Sequence, residues 1–418
     1  MRYKRYIKRK LEKGSNKKRP INLMVALLIV LYLQAILMPL SSQAAGEENE
    51  SETDNQEIIE EQLKQDKYKE LEKYLKQYTD DETGEIIEDF DPVDIFREGA
   101  RGNFKFSFIG LLNSISRYLF REIYSNINIM AQVIILAVLC ALLKNLQTSF
   151  LSESVGELAF FACYIVIVSI MVESFYSCLN LATAIVENMV NFMYATMPVL
   201  ITLLVSGGNI TAGGVFQPIV FGIIGAVATI IKSVLMPVIL LSTILALIGN
   251  ISEKVQLSKL TGTIKQVTTA ILGLILTVFI GIITIQGSVG AIVDGVTGKT
   301  AKFAISTFVP VAGKYLADAA ETVIGCALVI KNAAGVAVMA VIVAICLVPI
   351  LKITALIFLY KITCVLIEPV SEKRITKCID EISSSLTYII GLIVSVAFMF
   401  IISVTAIIAA GNISTMIR

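Results

Sequence analysis

The chain has 418 residues, of which 56% are hydrophobic and only 17% charged. That composition excludes an ordinary soluble globule and fits a polytopic membrane protein. The net charge of +1 hides an asymmetry: residues 1–45 hold ten Lys/Arg and one acid, residues 46–100 twenty acids and six Lys/Arg, and the remainder nineteen Lys/Arg and thirteen acids.

The N-terminus reads as a secretion signal. A basic region from Arg2 to Arg19 precedes an apolar run over 21–40, then SSQAAG, with Ser42 and Ala44 or Gln43 and Ala45 around a cleavage point. The apolar run is long enough to span a bilayer, so an uncleaved anchor is the alternative. Both readings keep the basic flank inside and place residue 50 outside the cytoplasm.

Residues 46–103 form an acidic extracytoplasmic segment. Its start, GEENESETDNQ, has the composition of a disordered stretch. From Glu57 to Tyr78, Ile59, Leu63, Leu71, Tyr74, Leu75 and Tyr78 recur near helical spacing, which predicts an amphipathic helix. It either packs on its own protein or offers a docking surface. Residues 104–126 follow with Leu111, Leu112, Ile115, Leu119 and Ile123 on one side and Lys105, Arg117 and Arg121 among them, the pattern of an interfacial helix.

The polytopic membrane domain occupies 127–418. Apolar runs fall at 127–143, 155–179, 181–205, 215–231, 235–248 and 267–286. Glu173 lies in the second. Glu187, Asn188 and Asn191 lie in the third on one helix face, where they are expected to face other helices rather than lipid. Lys232 separates the fourth and fifth. The loop 249–265 carries Lys254, Lys259 and Lys265, and 371–377 reads SEKRITK; positive-inside counting makes both cytoplasmic. The run 336–367 is interrupted by Pro349, Lys352 and Lys361, and 386–409 is the last span. The expected fold is all-α, with seven or eight transmembrane helices after the signal and some broken or re-entrant.

Between these runs lies 287–335, the most charged and glycine-rich stretch of the apolar region. It carries Asp294, Lys299, Lys302, Lys314, Asp318, Glu321 and Lys331, with five glycines up to Gly313 and Pro310 among them. Charge and irregular backbone are tolerated at membrane depth only where they are buried in protein or line a wet cavity. The stretch is therefore either an excursion out of the bilayer or the lining of a path through it. Lys314, Asp318 and Glu321 share a helix face, either solvated or a polar seam.

Enzyme and cofactor signals are weak. Histidine is absent, which removes the commonest general base and metal ligand, and no nucleophile motif stands in context. Gly298-Lys299-Thr300 resembles the end of a phosphate-binding loop, but Val293 stands where its first glycine belongs. Seven cysteines without a CxxC pair read as small buried hydrophobes. No enzyme activity, cofactor, metal or nucleic-acid partner is expected.

Several segments resemble the stage III sporulation protein AE family of endospore-forming Firmicutes. They are AKFAISTFVPVAGKYLADAAETV (301–323), KNAAG (331–335), FKFSFIGLLN (104–113), ATMPVLITLL (195–204), TVFIGIITIQG (277–287), and FLYKI (358–362) ahead of Glu368-Pro369. Order and spacing agree over most of 100–411. The resemblance implies a multi-pass subunit of a sporulation-specific, secretion-like channel complex. It would sit in the mother-cell membrane surrounding the forespore, as conduit or channel-base scaffold, and be needed for late forespore gene expression and growth. The implied partners are companion membrane proteins, including a secretion-type ATPase and ring-forming subunits, and the lipid bilayer. The family has no catalytic residues to carry over. The expected conduit or gate residues are Asp294, Lys299, Lys302, Lys314, Asp318 and Glu321; the intramembrane polar set is Glu173, Glu187, Asn188 and Asn191. A stand-alone small-molecule permease is the alternative, since broken helices with midplane charge serve such transporters. No internal repeat is visible to favour it.

Overall fold

In a computed structural model the described residues are 66–79, 90–101, 108–150, 153–251, 257–309 and 312–417. The expected signal peptide or anchor and the acidic start of the outer segment lie outside them. Every regular element among the described residues is helical. Helix α1 is Asp66–Gln77, α2 Pro92–Ala100, α3 Phe108–Ser125 and α4 Ile127–Phe150. Helix α5 is Glu153–Ser206 and α6 Ile210–Ile230, continued through a π-helical turn, Ile231–Leu235, into α7, Met236–Ile251. Three long helices follow: α8 Ser258–Phe308, α9 Gly313–Ile367 and α10 Lys373–Ile417.

Six of these rods are long and apolar enough to cross a membrane: α4, α5, α6 with α7, α8, α9 and α10. The sequence count of seven or eight is corrected by two fusions. Runs 155–179 and 181–205 are one helix, because no Gly or Pro stands near their junction at Asn180. Runs 215–231 and 235–248 join through the π turn. One inserted residue there widens the helix without breaking it, and Lys232 sits in that turn. Pro198, Pro218 and Pro349 lie inside helices rather than at their ends.

The lengths exceed what a bilayer needs. At 1.5 Å per residue the 51 residues of α8 run about 77 Å, against roughly 30 Å of hydrocarbon. Helices α9 and α10 are the most buried and form the centre, whereas α4 is the least buried. Their apolar residues run all round, as a core helix requires.

The two ends of the bundle differ in chemistry. At one end, α4 hands over to α5, α7 to α8 and α9 to α10. There Lys144 pairs with Glu372, Lys361 with Asp380 at 2.5 Å, and Lys265 with Glu381 at 2.7 Å. Both segments expected on the cytoplasmic side adjoin this lysine-rich end. The opposite end carries the α5–α6 turn, the α8–α9 turn and the C-terminus of α10.

Helices α1 and α2 pack on the bundle. Tyr68, Leu71 and Leu75 of α1 are buried, and α1 lies against α2, α5 and α9. Tyr78 meets Phe192 of α5 with ring centroids 5.4 Å apart. The apolar face of this outer helix is therefore used internally. Helix α2, absent from the sequence expectations, begins at Asp91-Pro92. The Asp91 side chain accepts the Val93 N–H at 2.8 Å, and Pro92 takes the first turn, where no N–H is needed. Arg97 of α2 makes a forked bond to Glu72 of α1 at 2.9 and 3.1 Å, and that carboxylate raises the guanidinium pKa. Helix α3 packs Ile115, Tyr118 and Leu119 on Leu347, Val348 and Leu351 of α9, while Leu112, Phe120 and Tyr124 stay exposed.

Candidate functional site

The stretch 287–335 is a helical hairpin. Helix α8 runs unbroken through four of its glycines and three of its charges to Phe308, and α9 starts again at Gly313. Irregular backbone is thus confined to the turn between them. Gly313 belongs there because a Cβ would press on Val309 Cβ at 3.1 Å and on the Ile305 carbonyl. Beyond Gly295, which packs on Ser414 and Ile417 at the end of α10, both limbs are largely exposed. From Gly295 to Phe308 is thirteen residues, about 20 Å of helix.

The charges on this arm divide into two groups. Lys302 pairs with Glu321 across the hairpin. Lys299, Lys314 and Asp318 are exposed and make no ion pair with the described residues. The Lys314, Asp318 and Glu321 face is therefore a solvated one rather than a seam inside the bundle. Phe303, Phe308, Tyr315 and Leu316 are exposed among them, Phe308 by 82%. Lys299-Thr300 follows Gly298 inside α8, where backbone N–H groups are spent on the helix, so no phosphate cradle exists there.

Asp294 is separate from this group. It is buried at 4% exposure and faces the start of α6. Its two carboxylate oxygens accept the Thr211 N–H at 2.9 Å and the Ala212 N–H at 2.8 Å. The local N-cap, Asn209, makes no side-chain capping bond, so Asp294 supplies the cap from another helix. The negative charge also suits the positive end of the helix. Gly290, one turn earlier, permits the approach: a Cβ there would lie 2.8 Å from Ala212 Cα.

Lys331 went unselected in the sequence, yet it is the most enclosed charge of the stretch. It is fully buried, and its Nζ donates to the Ile408 carbonyl of α10 at 3.0 Å. Gly411 leaves it room, since a Cβ at that position would collide with Nζ. An interrupting lysine in the run was the only signal available. Its inward direction depends on α10, 77 residues away.

The intramembrane polar set lies elsewhere. Glu187 of α5 pairs with Lys232 in the π turn. Glu173, Asn188 and Asn191 are exposed, and their side chains make no hydrogen bond to the described residues. The expectation that these groups face neighbouring helices therefore holds within the chain for Glu187 alone. The physical reason is placement: α5 lies at the flank of the bundle and turns this face outward. Among the described residues no cluster of three or more His, Cys, Asp or Glu could hold a metal ion.

The family model for stage III sporulation protein AE matches residues 90–411. Stage III sporulation protein AE of Bacillus subtilis (strain 168) is 32% identical over 321 residues, covering 77% of this chain and 80% of that protein. No solved structure matches. The match spans the whole hairpin and the long helices except the last six residues of α10, and it supports a sporulation-specific role. This multi-pass membrane protein belongs to the stage III sporulation protein AE family.

Proposed function

We propose that the chain is the membrane subunit of a secretion-like channel complex between mother cell and forespore. In this reading it sits in the mother-cell membrane around the forespore and supports late forespore gene expression and growth. Its hairpin arm acts as a channel-base scaffold. The observation that carries this reading is the arm itself. About 20 Å of paired helix projects past the end of α10 with Phe303, Phe308, Tyr315 and Leu316 exposed between charges. Exposed aromatics beside exposed charges suit a protein contact better than either water or lipid. The charges expected to line a path are on this arm or, for Asp294, spent on a helix cap, which favours the scaffold over a conduit built from the same residues.

The lysine-rich end supports a cytoplasmic assignment by the positive-inside rule, which directs the arm into the intermembrane space. Ring-forming companions then meet the arm, and a secretion-type ATPase acts at the opposite end. The test is site-specific photocrosslinking in sporulating cells, with the crosslinker at Phe308 or Tyr315. Companion proteins of the complex should be captured once engulfment has begun. Capture of lipid alone at both positions would refute the scaffold reading.

A further inference from the structure

Helices α8 and α9 run about 77 and 83 Å, so roughly 50 Å of each lies outside a 30 Å hydrocarbon layer. Hydropathy alone does not choose which part. Between Lys265 and Lys299, about 51 Å of helix, α8 exposes no charge at all. Contacts along the bundle do choose. Helix α4 is the least buried rod, and from Ile127 to Lys144 it covers about 26 Å, with Ile135, Leu139 and Leu142 exposed. The amphipathic α3 directly precedes it. That helix packs on Val348 and Leu351, about 24–29 Å from the lysine-rich end of α9 at Ile367. Arg117 and Arg121 are exposed there beside Leu112, Phe120 and Tyr124, the mixed face of a helix in a headgroup layer. The exposed Glu187–Lys232 pair stands at the same height, about 29 Å from the end of α7 at Ile251.

Helix α1 bounds the layer from the other side. Seven of its 12 residues are charged, and Lys69, Glu70, Lys73 and Lys76 are exposed. It packs on α5 and α9, and Tyr78, just past its end, meets Phe192 of α5. Phe192 lies about one turn beyond Met189. The Met189 sulfur meets Cys346 of α9 at 3.1 Å, and Cys346 is about 32 Å from Ile367. Acyl chains at the height of Phe192 would surround the charges of α1, each of them costly in hydrocarbon. Acyl chains around the lysine-rich half leave one exposed acid among the described residues away from its ends, Glu173.

We propose that the bilayer surrounds only the lysine-rich half of the bundle and ends at α3, whose exposed face rests among phospholipid headgroups. The other half, with Asp294, Lys331 and the hairpin, stands clear of the hydrocarbon. Its exposed apolar residues, Val289 and Ile292 of α8 among them, do not touch acyl chains. The placement follows from lengths and contacts and does not rest on the scaffold reading.

The chain contains no tryptophan, so a single introduced indole reports its own surroundings without background. The test uses the full-length chain in phosphatidylcholine vesicles with or without bromine on the acyl chains, which quenches indole emission on contact. Ile135→Trp of α4 and Leu274→Trp of α8 should lose most of their emission in brominated lipid. Val289→Trp and Ile292→Trp, exposed on the same α8 about 47–51 Å from its start, should lose none. Phe120→Trp of α3 should be quenched by bromine near the headgroup and little by bromine at the chain end. Two positions at each height preserve the comparison if one variant fails to fold. Quenching at Val289 and Ile292 equal to that at Leu274 would overturn the proposal and set α1 in a wet cavity at membrane depth. Undiminished emission at Ile135 and Leu274 would overturn it as well.

Discussion

The carboxylate of Asp294 receives the backbone N–H of Ala212 at 2.8 Å across 82 residues of chain. A second bond, from Thr211, completes a cap that α6 cannot make for itself. The residue expected to line a path instead ties the hairpin to the α5–α6 turn. Asp294→Ala should therefore lower the stability of the folded protein by about 1–2 kcal/mol, the usual range for a lost cap. Asp294→Asn should recover part of that, since one oxygen remains to accept. Thermal unfolding of the detergent-purified protein measures both, and an unchanged midpoint for Asp294→Ala would show the cap to be dispensable.

Lys331 and Gly411 form a second fitted pair. A methyl group at 411 would displace the ammonium from the Ile408 carbonyl and press on Leu328 Cδ2 at 3.0 Å. Gly411→Ala should cost about 1–3 kcal/mol, as overpacking of a filled core does. Lys331→Met in the same chain should restore much of the loss, because a flexible apolar side chain can repack. Unfolding midpoints of the two single variants and the double variant give the coupling energy, and simple additivity would contradict the contact.

The hairpin charges behave differently. The Lys302–Glu321 pair is exposed, and exposed pairs contribute little to stability. Lys302→Gln and Asp318→Asn should accordingly leave protein level unchanged. If the arm contacts the complex, both should block forespore development. Immunoblots beside spore counts separate the outcomes, and loss of the protein itself would make these charges structural.

Much of the architecture was legible from the sequence because it follows from apolar run length and charge. Every expected span falls in a long helix, and both basic segments adjoin one end. The count failed where a single polar residue divided two apolar runs. Asn180 and Lys232 interrupt hydropathy but not the helix, since neither removes a backbone N–H. Helix α2 was readable at Asp91-Pro92, a cap followed by a first-turn proline, but the acidic surroundings masked its short apolar face of Val93 and Phe96. The polar face of α5 was visible as a spacing, yet its outward direction was not. Direction depends on which helices pack beside it, as does the burial of Lys331 under Ile408. Asp294 was selected as a membrane charge, while its partner lies on a helix that no local pattern connects to it.

The central claim, a subunit needed for channel-dependent forespore development, is tested most directly by deleting the coding sequence and following sporulation by microscopy with a late forespore reporter. The account predicts that engulfment finishes, the forespore then shrinks, the reporter stays silent, and the full-length chain supplied in the mother cell restores all three. Normal spores from the deletion strain would contradict it and return the permease reading to the front.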